Sequence, residues 1–170
     1  MTGNLSRYID TFSRRQGEVS SLLALPLLVV VVYEVIMRYA FNAPTTWGFE
    51  LTTFLYGVHY MLGLSYTDVL GGHVRVDIFT ARMPGRVQAV LGVVTSLLFF
   101  LPVMAVLTWV SLRFAAISVA GRELNSTSWA PPIYPIKVIM AVSFLFLLIQ
   151  GVSNLLHNID VLRGKREGMR

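Results

Sequence analysis

Four blocks of apolar residues, each broken by few polar positions, dominate the chain, and they predict four helices long enough to cross a membrane. A spanning helix needs about 20 mainly apolar residues, because the hydrocarbon layer is about 30 Å thick and each helical residue rises about 1.5 Å. The blocks lie at about 19–40, 47–69, 87–113 and 132–156. The first is uncharged up to Glu34, the second is interrupted by His59, the third has no charge before Arg113, and the fourth carries Lys137 near its start. The third is longer than a straight crossing requires, so it is expected to tilt or to project past the membrane surface. The connections around residues 70–86 and 118–131 have room for a short helix or a turn and for no separate domain.

A different pattern precedes the first block. Leu5, Tyr8, Ile9 and Phe12 recur at i, i+3, i+4 and i+7 behind Asn4, an N-capping residue, while Arg7, Asp10, Arg14 and Arg15 take the other face. This predicts an interfacial amphipathic helix over about 4–16. His73 to Met83 has a weaker version of the pattern, with Val74, Ile78 and Ala81 on one side. The expected fold class is all-α integral membrane: one membrane domain over residues 1–170, with four transmembrane helices and an interfacial helix before them.

Composition agrees. Of 170 residues 55% are hydrophobic and only 14% charged, where a soluble domain carries about a quarter. The mean hydropathy of +0.64 also argues against a water-exposed globule. The absence of cysteine excludes disulfide frameworks, thiolate nucleophiles, iron–sulfur sites and cysteine zinc sites. The net charge of +5 does not point to nucleic acid, because the basic residues lie between apolar blocks and form no stripe with interleaved aromatics. They orient the helices instead. Ten of the fourteen (Arg7, Arg14, Arg15, Arg75, Arg82, Arg86, Arg163, Lys165, Arg166 and Arg170) fall on one side, which by the positive-inside tendency predicts N-in, C-in. The first block is longer than a signal-peptide core and has no small-x-small cleavage pattern before Tyr33, so it is read as a retained span.

Charges inside membrane segments are costly and usually paired. Glu34 and Arg38 stand four apart, the acid N-terminal to the base, which is the favourable order for a helical pair. Glu50 follows Pro44-Thr45-Thr46-Trp47, where a proline, two hydroxyls and an acid describe a helix start. Arg38 is expected near the depth of Glu50, able to bridge both carboxylates as a structural clamp. Trp47 and Trp129 mark the membrane interface. His59 and His157 differ in depth by about 20 Å at 1.5 Å per residue, so they cannot ligate one haem, and His59 is read as hydrogen-bonded in a helix contact. His73 and Asp77, four apart beyond the second span, are too few to make a metal site. Trp129-Ala130-Pro131-Pro132-Ile133-Tyr134-Pro135-Ile136-Lys137 leads stiffly into the fourth helix, and Ala89, Gly92 and Ser96 form a small-residue face on the third. No nucleophile triad, phosphate loop or dinucleotide turn occurs, so no enzyme is expected.

Glu34-x-x-x-Arg38-Tyr39-x-Phe41-x-x-Pro44-x-x-Trp47-x-x-Glu50-Leu51, then Gly63-x-x-Tyr66, then His73-Val74-x-Val76-Asp77, then Pro132-x-Tyr134-Pro135-x-Lys137, resembles the small membrane subunit of tripartite ATP-independent periplasmic (TRAP) transporters, over about residues 20–156. Ser65 departs from the small apolar residue common after the family's glycine, and the segment 123–128 matches nothing in the pattern. The resemblance implies a multi-pass protein of the bacterial inner membrane. It would join a larger permease subunit and work with a periplasmic substrate-binding protein, in the unfused form whose partner is a separate polypeptide. It also implies transport driven by sodium, bound at the large subunit, of organic acids such as C4-dicarboxylates or sialic acid, with no cofactor and no metal held by this chain.

On this reading Glu34, Arg38 and Glu50 form a charge cluster at the subunit interface, and Tyr66, His73 and Asp77 shape the cytoplasmic end. Trp47, Trp129, Pro132, Tyr134, Pro135 and Lys137 lie on the side where the binding protein docks, and membrane lipids are the remaining partner. The alternatives are a small homodimeric proton-coupled exporter using Glu34, against which the adjacent Arg38 argues, and a haem-binding electron-transfer subunit, against which the histidine depths argue.

Overall fold

The computed structural model describes residues 2–72 and 83–164 as a bundle of helices, and the expectations placed on His73, Asp77 and the weaker amphipathic segment fall outside the described residues. Helix α1 (Thr2–Ser21) and helix α2 (Ala24–Tyr39) follow one another with a break at Leu22 and Leu23. Pro26 explains it, because it has no N–H to give to the Leu22 carbonyl. The turn tightens there: Leu22, Leu23 and Leu25 each donate to a carbonyl three residues back, at 3.2, 3.1 and 3.1 Å. His59 on helix α3 (Gly48–Val69) makes use of the break, its Nδ1 donating to the Ser20 carbonyl at 3.0 Å. The helix contact expected of this histidine is therefore present.

The amphipathic segment expected over 4–16 is helical, but it continues through Gly17 to Ser21. Ser6, Ser13 and Ser20, a heptad apart, form with Gly17 the buried side against α3 and helix α6 (Tyr134–Leu162), while Leu5, Tyr8 and Phe12 stay exposed. Packing on that serine face keeps the helix going past the glycine, and the proline ends it further along.

Helix α4 (Gly85–Thr95), a π-helical segment (Ser96–Phe100) and helix α5 (Leu101–Ala120) form a 36-residue rod. At 1.5 Å per residue it is about 54 Å long, well beyond a hydrocarbon layer of about 30 Å. The wide turn again has a proline cause. Pro102 cannot donate and its ring would crowd the carbonyl four residues back, and Leu101 donates to Ser96, one residue further away than in an α-helix. The small face expected on this rod is where α4 meets α6: Ala89 is buried and Gly92 abuts Asn158, while Gly151 on α6 lies under the Phe100 ring.

Among the described residues, three helical stretches are long and apolar enough to cross a membrane: Leu5–Tyr39, Gly85–Ala120 and Tyr134–Leu162. The fourth expected span, α3, has the length at 22 residues, but Glu50, His59, Asp68 and its hydroxyls make it more polar than those three stretches. It packs against α1, α2 and α6; His59 finds its partner on α1 and Asp68 on α6, while Glu50 is met from the loop between α5 and α6. The interior as a whole is small and polar, with Gln150 and six serines the most deeply buried, while large apolar side chains crowd the outside. In water that order would be inverted. In hydrocarbon it is the favourable one, because small residues admit close helix approach and hydroxyls bond across it.

Candidate functional site

The α2–α3 turn builds a polar brace around one carboxylate. Glu34 Oε1 accepts Arg38 Nη2 at 2.9 Å along α2, and Oε2 accepts the Thr45 hydroxyl and, at 3.4 Å, the Thr45 N–H. The same Thr45 oxygen accepts the Gly48 N–H at 3.0 Å, capping the first turn of α3. A carboxylate near a helix N-terminus is favoured by the free amides and the dipole there. Glu34 therefore ties α2 to the start of α3, with Arg38 half-exposed beside it. Trp47 stacks on Tyr33 at 5.6 Å between centroids and closes the turn from the side.

Glu50 is not part of that pair. The bridge that Arg38 could make to both carboxylates does not form: Glu50 is buried one turn along and accepts Asn125 Nδ2, at 3.4 Å, from the α5–α6 loop. An amide meets Glu50 because this loop folds back as a short paired hairpin. Leu124 and Pro132 form an antiparallel bridge, Asn125 N–H donates to Pro131 O at 2.8 Å, and Ile133 N–H donates to Glu123 O at 3.1 Å. The segment 123–128, which the sequence left without a role, thus supplies the link between the two loops at this end.

The expected docking residues separate. Trp129, Pro132 and Pro135 are exposed, whereas Trp47 and Tyr134 are half-buried. Lys137 turns inward with its side chain only 15% exposed, paired with Glu123 and lying 3.9 Å from the centre of the Phe114 ring. It braces the hairpin from below, a cation held between a carboxylate and an aromatic face. The Lys137 hydrogen bond also holds the Glu123 carboxyl below its ordinary value of 4.5. A lowered folded value means this contribution is complete above pH 4.5 and is lost as pH falls through the lowered value. We expect acid to loosen the hairpin, read as Trp129 fluorescence with Trp47 and Trp109 changed to Phe. Glu123→Gln should be loose already at neutral pH and show no acid step.

A second polar network closes the opposite end of the bundle. Asp10 Oδ1 accepts Gln150 Nε2 at 2.9 Å and the Ser153 hydroxyl at 2.8 Å, while the Ser13 hydroxyl donates to Gln150 Oε1 at 2.9 Å. Asn154 donates to Asp68 at 2.6 Å, and Ser65 donates to Gln16 at 3.1 Å. Tyr66, expected to shape this end, lies with its ring directly on Gly17 of α1. Asn125, Glu123 and Ser13 were not singled out in the sequence, Thr45 was read only as part of a helix start, and Asp10 only as part of the polar face of an amphipathic helix. The serine recurrence at 6, 13 and 20 is the signal that marks the α1 face.

These features define a membrane protein, a helical bundle in which several buried polar side chains join one helix to another. Residues 27–160 match the model of the family described as tripartite ATP-independent periplasmic transporters, DctQ component. The chain belongs to this family, the small permease subunits of TRAP transporters, which are transporter components and not enzymes. No curated protein matches the chain.

Proposed function

We propose that this chain is the structural membrane subunit of a sodium-driven secondary transporter for organic acids. It scaffolds the large permease subunit and helps dock the periplasmic substrate-binding protein. It crosses the bacterial inner membrane four times, with α3 as the fourth, most polar span and both termini cytoplasmic. Sodium and substrate bind at the large subunit.

One observation carries the reading. Among the described residues, Glu34, Glu50, Asp10 and Asp68 are each met by a side chain of another helix or loop. A transport carboxylate has to exchange its proton or cation during the cycle, and groups held this way suit fixed helix positions instead. That also argues against an exporter working through Glu34, which Arg38 and Thr45 hold. Trp129, Pro132 and Pro135, exposed on the stiff lead to α6, are the side offered to the binding protein.

Proteoliposomes containing this chain alone, or co-purified with a large permease subunit and supplied with binding protein, carboxylate substrate and a sodium gradient, test the assignment. Uptake is expected only with the complete set; proton-coupled transport by this chain alone would overturn it. Arg38→Ala should lower the yield of the co-purified complex severalfold and leave the sodium dependence of the remaining complex unchanged. Normal yield with altered sodium dependence would place the arginine in the ion pathway.

A further inference from the structure

A groove of about 450 Å³ lies where the α1–α2 break faces α3, lined by Phe12, Arg15, Gln16, Val19, Ser20, Leu23 and Leu62. Its polarity runs in one direction. Ser65, the partner of Gln16, is about 26 Å along α3 from Gly48, near the far boundary of a hydrocarbon layer about 30 Å thick. Arg15 therefore stands at a membrane surface. Leu62 is about 21 Å along α3, inside the hydrocarbon, and Val19 and Leu23 continue the apolar wall from Arg15 toward the membrane centre.

A cation at the surface and an apolar channel leading inward match the order of groups in a phospholipid. Charge selects its class. Arg15 and its neighbour Arg14 are exposed, and although Glu18 is close in sequence, the ion pairs among the described residues are Glu34–Arg38 and Glu123–Lys137. Gln16 adds a further polar group at this level. Its Oε1 accepts the Ser65 hydroxyl, and its Nε2 has no protein acceptor.

We propose that this groove binds one anionic phospholipid, its phosphate on Arg15 and one acyl chain along Val19, Leu23 and Leu62. The lipid would fill the wedge that the proline break opens, holding α1 and α2 at their angle against α3. This inference rests on α3 crossing the membrane as in the proposed topology, and it stands or falls separately from the transport assignment.

The test uses the full chain, alone and in complex with its permease partner, stripped of lipid in detergent. The probes are dioleoyl phosphatidylglycerol, dioleoyl phosphatidylcholine and glycerol 3-phosphate, with native mass spectrometry for adducts and thermal unfolding for stability. Phosphatidylglycerol is expected to give one retained adduct and a raised unfolding midpoint, phosphatidylcholine a weaker effect and glycerol 3-phosphate none. Arg15→Gln should cut the preference for phosphatidylglycerol over phosphatidylcholine about fivefold, the effect of one basic residue near an anionic lipid surface. Leu62→Trp, which fills the groove, should remove the adduct with either lipid.

An unchanged preference in Arg15→Gln would overturn the proposal, and so would a full adduct in Leu62→Trp. A shift reproduced by glycerol 3-phosphate would mean a phosphate site without a lipid. Loss of the adduct in the complex, with retention by the chain alone, would make the groove a seat for the partner protein.

Discussion

Gly17→Ala is expected to destabilise the bundle by about 1–3 kcal/mol, the usual cost of overpacking a tight contact. A methyl group at this position would overlap the Cβ and ring carbons of Tyr66 on α3. Neither neighbour can give way cheaply, because the obstructing atoms are the base of the tyrosine side chain rather than its flexible end. Ser13 and Ser20 lie on the same buried face of α1, so the strain would pass along the seam to α6 and to the His59 contact. Thermal unfolding of the purified chain in detergent measures the loss. The double variant Gly17→Ala with Tyr66→Ala removes the obstruction, and it should cost less than the sum of the two single changes. Full additivity would mean that the glycine is not there for close approach.

The second large effect is expected at Gln150, which is 1% exposed. It stands between two residues of α1, accepting from Ser13 and donating to Asp10. Gln150→Leu keeps most of the volume but leaves the Ser13 hydroxyl without its acceptor and the Asp10 carboxylate with Ser153 alone of its two donors. Stranding a buried polar group costs about 1–3 kcal/mol, more where the group is charged, and that exceeds the typical value of about 0.6 kcal/mol for one hydrogen bond between membrane helices. The excess separates the two explanations. If stranding dominates, Gln150→Leu combined with Ser13→Ala should be more stable than Gln150→Leu alone, because the orphaned hydroxyl has gone. If the double variant is less stable, the interface depends on the bond itself.

The brace at the α2–α3 turn was legible in part. Glu34 and Arg38 are local partners on one helix, and spacing alone pairs them. Their attachment to Thr45 and the Gly48 amide depends on how the chain turns between Tyr39 and Gly48, which spacing does not describe. The match of Glu50 to Asn125 spans 75 residues, and nothing in the local pattern around either residue announces it. Lys137 shows the same limit from the other direction. As a sequence position it reads as a surface cation beside prolines, and only the folded hairpin turns it onto Glu123 and Phe114.

The sequence by itself determined the membrane class, the approximate position of each long helix, and the retention of polar residues for helix contacts. These depend on hydropathy, length and period, which are properties of short windows. Both helix irregularities are local too, since Pro26 and Pro102 lack the N–H that a regular ladder needs at those positions. Tertiary structure alone decided that α1 runs past Gly17 on a serine face, that the polar α3 is packed among three other helices, and that the segment after α5 links the two loops. Each of these follows from which helices meet. A hydroxyl or amide carries the same signal in the sequence whether it faces lipid, water or another helix, and only the partner that arrives opposite it decides what it does.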